Sequence, residues 1–128
     1  MDYPIYLDTH VAIFLYQKDK KLFSKQALEI IEKAESLVIS PLAVLEMDYL
    51  REIGRLGAPG REIFEYLAGR IGLLLDTERI AAAIDQAAKL SWTRDVFDRL
   101  ITAQASLTES LLLTKDRKIQ ENYPKAVW

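Results

Sequence analysis

The chain predicts an α/β fold, a three-layer α/β/α sandwich on a mostly parallel five-stranded sheet. Three observations lead there. Short apolar runs of strand length alternate along the chain with longer stretches in which apolar residues recur every three or four positions. Capping and turn residues stand at most junctions between the two patterns. The steady alternation then leaves parallel pairing, with helices over both faces, as the arrangement that buries every strand. No internal repeat, low-complexity segment or flexible linker interrupts it, so a single domain over residues 1–128 is expected.

The first strand is the run Pro4 to Leu7. After Asp8 and Thr9 the pattern turns helical, with Val11, Phe14 and Leu15 on one face to about Tyr16. A lysine-containing loop, Gln17 to Lys21, leads to a helix capped by Ser24. That helix turns Ala27, Leu28, Ile31 and Ala34 inward and Glu29, Glu32 and Lys33 outward. Leu37 to Ser40 is the second strand, and Pro41, suited to a first helical position, opens a helix to about Leu56. The run Gly57-Ala-Pro-Gly60 breaks it. A helix over Arg61 to Ala68 follows, then a third strand, Ile71 to Leu75, and a helix from Glu78 to Leu90 capped by Thr77. The loop Ser91 to Arg94 precedes a helix that begins after Asp95 and runs through Leu107. Ser110 to Thr114 is the fourth strand, Asp116 starts a short helical turn, and Lys125 to Trp128 is the last strand.

A chain of 128 residues can bury a full core without covalent help. Its lack of cysteine removes disulfides and thiolate zinc sites, and fits a reducing compartment. The single histidine, His10, cannot build a multi-histidine centre. Any metal is therefore held by oxygen, which favours magnesium or manganese. With 17 Lys and Arg against 19 Asp and Glu, overall charge does not announce a nucleic-acid binder, so such a role needs local patches. The start MDYPIYLDTH lacks a basic leader pattern, and no segment approaches the roughly 18 apolar residues of a membrane span, so a soluble, cytoplasmic protein is expected.

Four acids stand where a parallel sheet gathers residues at the carboxyl ends of its strands, the edge at which such folds bind ligands. Asp8 follows the first strand, Glu46 lies in the helix after the second, and Asp98 and Asp116 bracket the fourth. Glu46 is the most informative. Its helical neighbours are Leu42, Ala43, Tyr49 and Leu50, with Ile53 continuing the row, so its carboxylate falls in an apolar stripe. Removing a charge from water costs several kcal/mol unless it is paired or coordinated. Asp48 lies off that stripe and reads as an ordinary surface acid. Asp98 flanks the stripe Phe97, Leu100, Ile101 and Ala105, with Arg99 pointing the other way. Carboxylates gathered this closely raise one another's pKa, and a divalent ion both keeps them ionised and suits hydrolysis of phosphodiesters. Each acid also has a plainer reading: Asp8, Asp95 and Asp116 as helix caps, Glu46 as half of an ion pair.

The stretches LDTH at Leu7 to His10, ISPLAVLEM at Ile39 to Met47, RDVFDRLITAQA at Arg94 to Ala105 and LLTKDRKI at Leu112 to Ile119 resemble the motifs of PIN domains. They are most similar to the toxin ribonucleases of VapBC-type toxin–antitoxin pairs, in the same order and over essentially the whole chain. The resemblance implies a metal-dependent endoribonuclease with Asp8, Glu46, Asp98 and Asp116 as an acidic quartet around magnesium or manganese. Asp8 and Asp98 would be the central ligands, Glu46 would bind metal or position the water, and Asp116 would complete the shell, often through water. Thr9 and Thr114 match hydroxyl positions that orient the acids. Asp95 matches an acid common in the subgroup, although the frequent RDPFD appears here as Arg94-Asp-Val-Phe-Asp98, without its proline. The resemblance further implies an RNA substrate, a cognate antitoxin covering the groove, and a homodimer.

Among the remaining residues, Arg99, Lys115, Arg117 and Lys118 are candidates to hold RNA phosphates, and Lys18, Lys20, Lys21 and Lys25 form a second basic group; a solvated rim is the alternative for both. His10 is read as a packed histidine in a first helical turn, and Trp92 and Trp128 as core or interface residues. Two other functions remain in play. One is a PIN-like partner-docking domain without turnover; the other is a phosphoryl-transfer domain with Asp8 as nucleophile, which would want a second aspartate beside it.

Overall fold

The computed structural model describes residues 4–128, and residues 1–3, the first of the expected domain and of the leader reading, lie outside them. Its elements are β1 (Ile5–Leu7), α1 (Thr9–Gln17), a single 3-10 turn (Lys20–Leu22), α2 (Lys25–Lys33), β2 (Leu37–Ile39), α3 (Pro41–Glu52), α4 (Gly60–Ile71), β3 (Leu74–Leu75), α5 (Ile80–Ala87), α6 (Val96–Leu107), β4 (Leu112–Leu113), α7 (Arg117–Asn122) and β5 (Ala126–Val127). The five strands form one sheet in the order β3-β2-β1-β4-β5, and every pair is parallel. This is the α/β sandwich the alternating pattern predicts, with the sheet wholly rather than mostly parallel.

The order of the strands places the site. The chain adds β2 and β3 on one side of β1, then returns to add β4 and β5 on the other, so winding reverses beside β1. Such a reversal opens a crevice at the carboxyl edge. Tyr6 and Leu7 pair with Leu112 and Leu113, and the Asp8 N–H donates to the Leu113 carbonyl at 2.9 Å. Leu7, Ile39, Leu112 and Leu113 are fully buried, as expected of strands covered on both faces. Val11, Met47, Ile63, Ile101 and Ile119 close over them from five helices. Ala83 and Ala87 on α5 pack on Ala103 of α6 in a smaller cluster.

Several boundaries differ from the sequence reading, each for a local reason. The helix expected to reach Leu56 ends at Glu52, because Ile53 leaves the helical region and Gly54 takes φ 81°. The helix expected to stop at Ala68 runs to Ile71, where Gly72 at φ 69° donates back to Ala68 and ends it, leaving Leu74–Leu75 as the third strand. Thr77 caps nothing: the Asp76 carboxylate accepts the Glu78 N–H at 3.3 Å, and α5 starts two residues late and ends at Ala87. The last two strands are two residues each, shorter than Ser110–Thr114 and Lys125–Trp128.

Asp48 is not an ordinary surface acid. Its carboxylate accepts the Gly60 N–H at 2.8 Å and so caps α4 from the side of α3. A Cβ at Gly60 would lie 2.3 Å from the Val44 carbonyl oxygen, so the two helices meet there backbone to backbone.

Candidate active site

Asp8, Glu46, Asp95, Asp98 and Asp116 all line one open cavity of about 420 Å³ at the carboxyl edge, together with His10, Phe14 and Lys115. Three of these acids are also helix caps. Asp8 caps α1, Asp95 caps α6 by accepting the Asp98 N–H at 3.0 Å, and Asp116 caps α7 by accepting the Ile119 N–H at 3.0 Å. The capping reading and the site reading therefore hold for the same residues: each cap fixes its carboxylate at the start of a helix that begins beside the carboxyl edge, after a strand for Asp8 and Asp116 and after α5 for Asp95.

The two threonines act on the acids as the sequence suggests. Thr114, fully buried, donates its hydroxyl to Asp8 Oδ2 at 2.7 Å and accepts the Asp116 N–H at 3.0 Å, so one side chain ties two acids together. Thr9 donates its N–H to Asp8 Oδ1 at 2.8 Å and its hydroxyl to Glu46 Oε1 at 2.5 Å. Burial pushes the Asp8 carboxyl above its ordinary range, while Thr114, Thr9 and the charge of His10 pull the other way. Burial likewise raises Glu46, opposed by the Thr9 hydroxyl.

Asp98 is the exception in this set. Its carboxylate has no hydrogen-bond or ion-pair partner among the described residues. Burial, then the charges of Asp8, Asp95, Asp116 and Glu46, push it up to about 8. Among the described residues no three acid or histidine side chains stand close enough to hold a metal ion as placed, so the acids line the cavity without being drawn together. Their chemistry nonetheless fits a hard cation. All donors are carboxylate oxygens, the least partnered one is protonated near neutrality, and a cation would remove the repulsion that causes this.

Other positions separate clearly. Lys115 lines the cavity, whereas Arg117 and Lys118 are exposed on α7 outside its lining. Arg99 is drawn away: its Nε donates to the Leu90 carbonyl at 2.6 Å, and it borders a different hollow with Ile84 and Val96. Lys18 sits 5.9 Å above the Tyr66 ring, and it, Lys20, Lys21 and Lys25 are exposed and absent from the acidic cavity. Trp92 packs partly buried on the core, and Trp128 stacks on Phe23 at 5.2 Å. His10 is not packed: it is exposed at the cavity, because its position in the first turn of α1 points along the sheet edge. Glu46 is only half-buried, and Tyr49 and Ile53 of its expected stripe are about half-exposed, the row facing the core being Ala43, Met47 and Leu50.

Sequence reasoning missed two features. Phe14 reaches the cavity, one helical turn after His10. Asp76, after β3, anchors a second buried cluster: the Tyr6 hydroxyl donates to its Oδ2, Arg79 pairs with it at 3.0 Å, and the Gln104 carboxamide donates to its backbone carbonyl at 2.6 Å. An aspartate directly after a strand, placed as Asp8 is placed, was the available signal.

Comparison with known proteins agrees with this layout. The PIN domain family matches residues 5–125. The chain is 31% identical to Ribonuclease VapC22 of Mycobacterium tuberculosis (strain ATCC 25618 / H37Rv), over 97% of this chain and 98% of that protein. In fold it is similar to VapBC2 from Rickettsia felis bound to a DNA fragment from their promoter, with TM-score 0.65 and 13% identity over 97% of this chain and 96% of the other. A toxin-antitoxin complex from Klebsiella pneumoniae gives TM-score 0.62 and 18% identity over 97% and 96%. FitAB bound to an IR36 DNA fragment gives 0.54 and 18% over 97% and 93%.

Proposed function

The chain belongs to the PIN-domain family, and from that premise we propose that it is a magnesium- or manganese-dependent endoribonuclease, the toxin of a type II toxin–antitoxin pair. The observation that carries the reading is Asp98. A half-buried carboxylate with no partner, facing four other acids, costs stability with nothing in the fold to offset it, and that is the mark of a group kept for a ligand. Asp8, Glu46, Asp98 and Asp116 would hold the ion, with Asp95 beside them. Bound there, a divalent cation would lower the pKa of water toward neutrality and offer a countercharge to phosphate oxygens.

The chain's own residues do the rest. Thr114 and Thr9 fix both oxygens of Asp8 and one of Glu46, so these carboxylates meet the substrate already oriented. Lys115, on the same cavity wall, offers a contact for a backbone phosphate. A phosphoacceptor role for Asp8 fits less well, since both its oxygens accept hydrogen bonds and it is 6% exposed. The relative's name, and the toxin–antitoxin complexes of similar fold, support an antitoxin as the protein partner; a homodimer in the cytoplasm, as one domain over residues 1–128, completes the proposal. No helix among the described residues is long and apolar enough to cross a membrane.

The test is cleavage of total cellular RNA by the purified chain, with manganese and with chelator, beside Asp98→Asn. Discrete fragments that require the metal, lost by at least ~100-fold in the variant, are expected. Cutting by Asp98→Asn equal to the parent would remove the assignment, and a chain that binds manganese but cuts no RNA would favour a docking domain.

A further inference from the structure

The acidic cavity has one wall that acid chemistry does not explain. Phe14 is the single apolar side chain among the described residues that line it, partly buried against the core and bordering a space otherwise walled by polar and charged groups. Its ring does not swing freely. Phe23 meets it edge-on at 6.1 Å and 83°, Trp128 at 6.5 Å and 68°, and those two rings stack on each other at 5.2 Å. One turn earlier on α1, the exposed His10 ring lies 6.3 Å away, tilted by 52°, and borders the same cavity. A buttressed aromatic face and a second ring beside it thus flank the carboxylates.

Charge gives that wall a purpose. The chain carries a formal net charge of −2, and among the described residues that line the cavity Lys115 is the only Lys or Arg, against five carboxylates. Long-range attraction cannot bring RNA to such a site, and the phosphates close to it are repelled unless cations intervene. Affinity has to come partly from contacts indifferent to charge. Stacking of an unpaired base on an aromatic ring is such a contact, tolerant of sequence and worth about 1–3 kcal/mol per base.

We infer that Phe14, with His10 beside it, forms a stacking subsite for an unpaired base of the RNA, next to the phosphate that lies against the acids. The inference rests on the ribonuclease reading and adds to it the place where one base is held, turned out of its stack toward α1. It also explains why Phe14 is braced by two further rings. A stacking face that holds still loses less entropy when the base arrives.

The experiment measures binding, so that it does not depend on turnover. In the Asp98→Asn background with manganese, anisotropy of a short fluorescein-labelled single-stranded RNA is compared for Phe14, Phe14→Leu and Phe14→Tyr, using a series of the same RNA with one abasic ribose at successive positions. Phe14→Leu is expected to weaken binding by about 5- to 100-fold, and Phe14→Tyr to restore it. One abasic position should weaken the Phe14 protein by a similar factor and leave Phe14→Leu unaffected, since the base and the ring are lost together. That coupling is what a purely structural Phe14 would not produce, even if Phe14→Leu lowers the melting temperature. Equal sensitivity to every abasic position in both proteins overturns the subsite alone. No binding of any RNA by the Phe14 protein overturns the subsite and the ribonuclease reading together.

Discussion

Asp8 and Asp76 hold matching places in the sheet and have opposite surroundings. Each follows a strand at the carboxyl edge, Asp8 after β1 and Asp76 after β3, and they are 6% and 8% exposed. Burial pushes both carboxyls upward. At Asp76 the Tyr6 phenol, Gln104 and Arg79 outweigh it and hold the group below the usual carboxylate range. Around Asp8 no such cation stands in contact; Thr114 and Thr9 only moderate the rise, and the neighbouring acids drive Asp98 higher still. The difference separates a buried acid that the fold has satisfied from a group of acids that the fold has left unsatisfied. On the proposed function, only the second has use for an ion from outside.

Substitutions at the two places should accordingly have opposite signatures. The largest effect is expected of Asp98→Asn, which should remove cleavage and yet make the chelated protein more stable at neutral pH. Asp98 keeps its proton to about pH 8 in the fold but only to 3.8 without it. Between those values the folded state binds more protons than the unfolded one, so stability falls as pH rises from about 4 to about 8. Urea unfolding with chelator across that range should show this decline in the parent and a weaker one in Asp98→Asn; identical profiles would mean that Asp98 is not strained. Added manganese should raise the parent's midpoint more than the variant's.

An intermediate effect is expected at Thr114→Val, which keeps the shape and removes the hydroxyl that holds Asp8 and Asp116. Cleavage and manganese affinity, read by titration calorimetry, should fall together by about 10- to 100-fold. A fall in stability alone would assign Thr114 to the core. The smallest effect on cleavage belongs to Tyr6→Phe. Loss of its bond to Asp76 should cost about 1.5–3 kcal/mol in urea unfolding and leave RNA cutting unchanged, the reverse of Asp98→Asn. A loss of cleavage there would mean that the two clusters are coupled.

Much of this arrangement was legible in the residues. The apolar runs and their spacing gave the layers, and the four acids of the quartet, with Thr9, Thr114 and Asp95, all reach one edge: Asp8, Thr9, Thr114 and Asp116 at strand-to-helix turns, Glu46 within the helix after β2, and Asp95 and Asp98 at the start of α6. What failed depended on left-handed glycines in some places and on contacts beyond a local pattern in others. The ends of α3 and α4 are set by glycines in left-handed conformations, Gly54 and Gly72, which are less conspicuous than Gly57-Ala-Pro-Gly60. Arg99 was placed near the edge by its neighbour Asp98, but a single step along a helix turns a side chain by about 100°, and its guanidinium reaches Leu90 instead. The Asp76 cluster joins residues 70 and 28 positions apart, a separation that no local pattern records.

Glu46 and Asp48 are two steps apart on α3 and so face nearly opposite sides of it, one toward Thr9 at the cavity and the other toward the first residue of α4. The helix is therefore pinned against rotation about its own axis. A small turn of α3 would carry the Glu46 carboxylate by roughly 1 Å, a misplacement that can cost about 100-fold in rate. What resists that turn is the pairing of Asp48 with Gly60, on the far side of the helix and remote from any reacting atom. The torsional set-point of the candidate site is thus held by a glycine that gives its N–H to Asp48 and, by lacking a Cβ, lets the two helices come close enough for that bond.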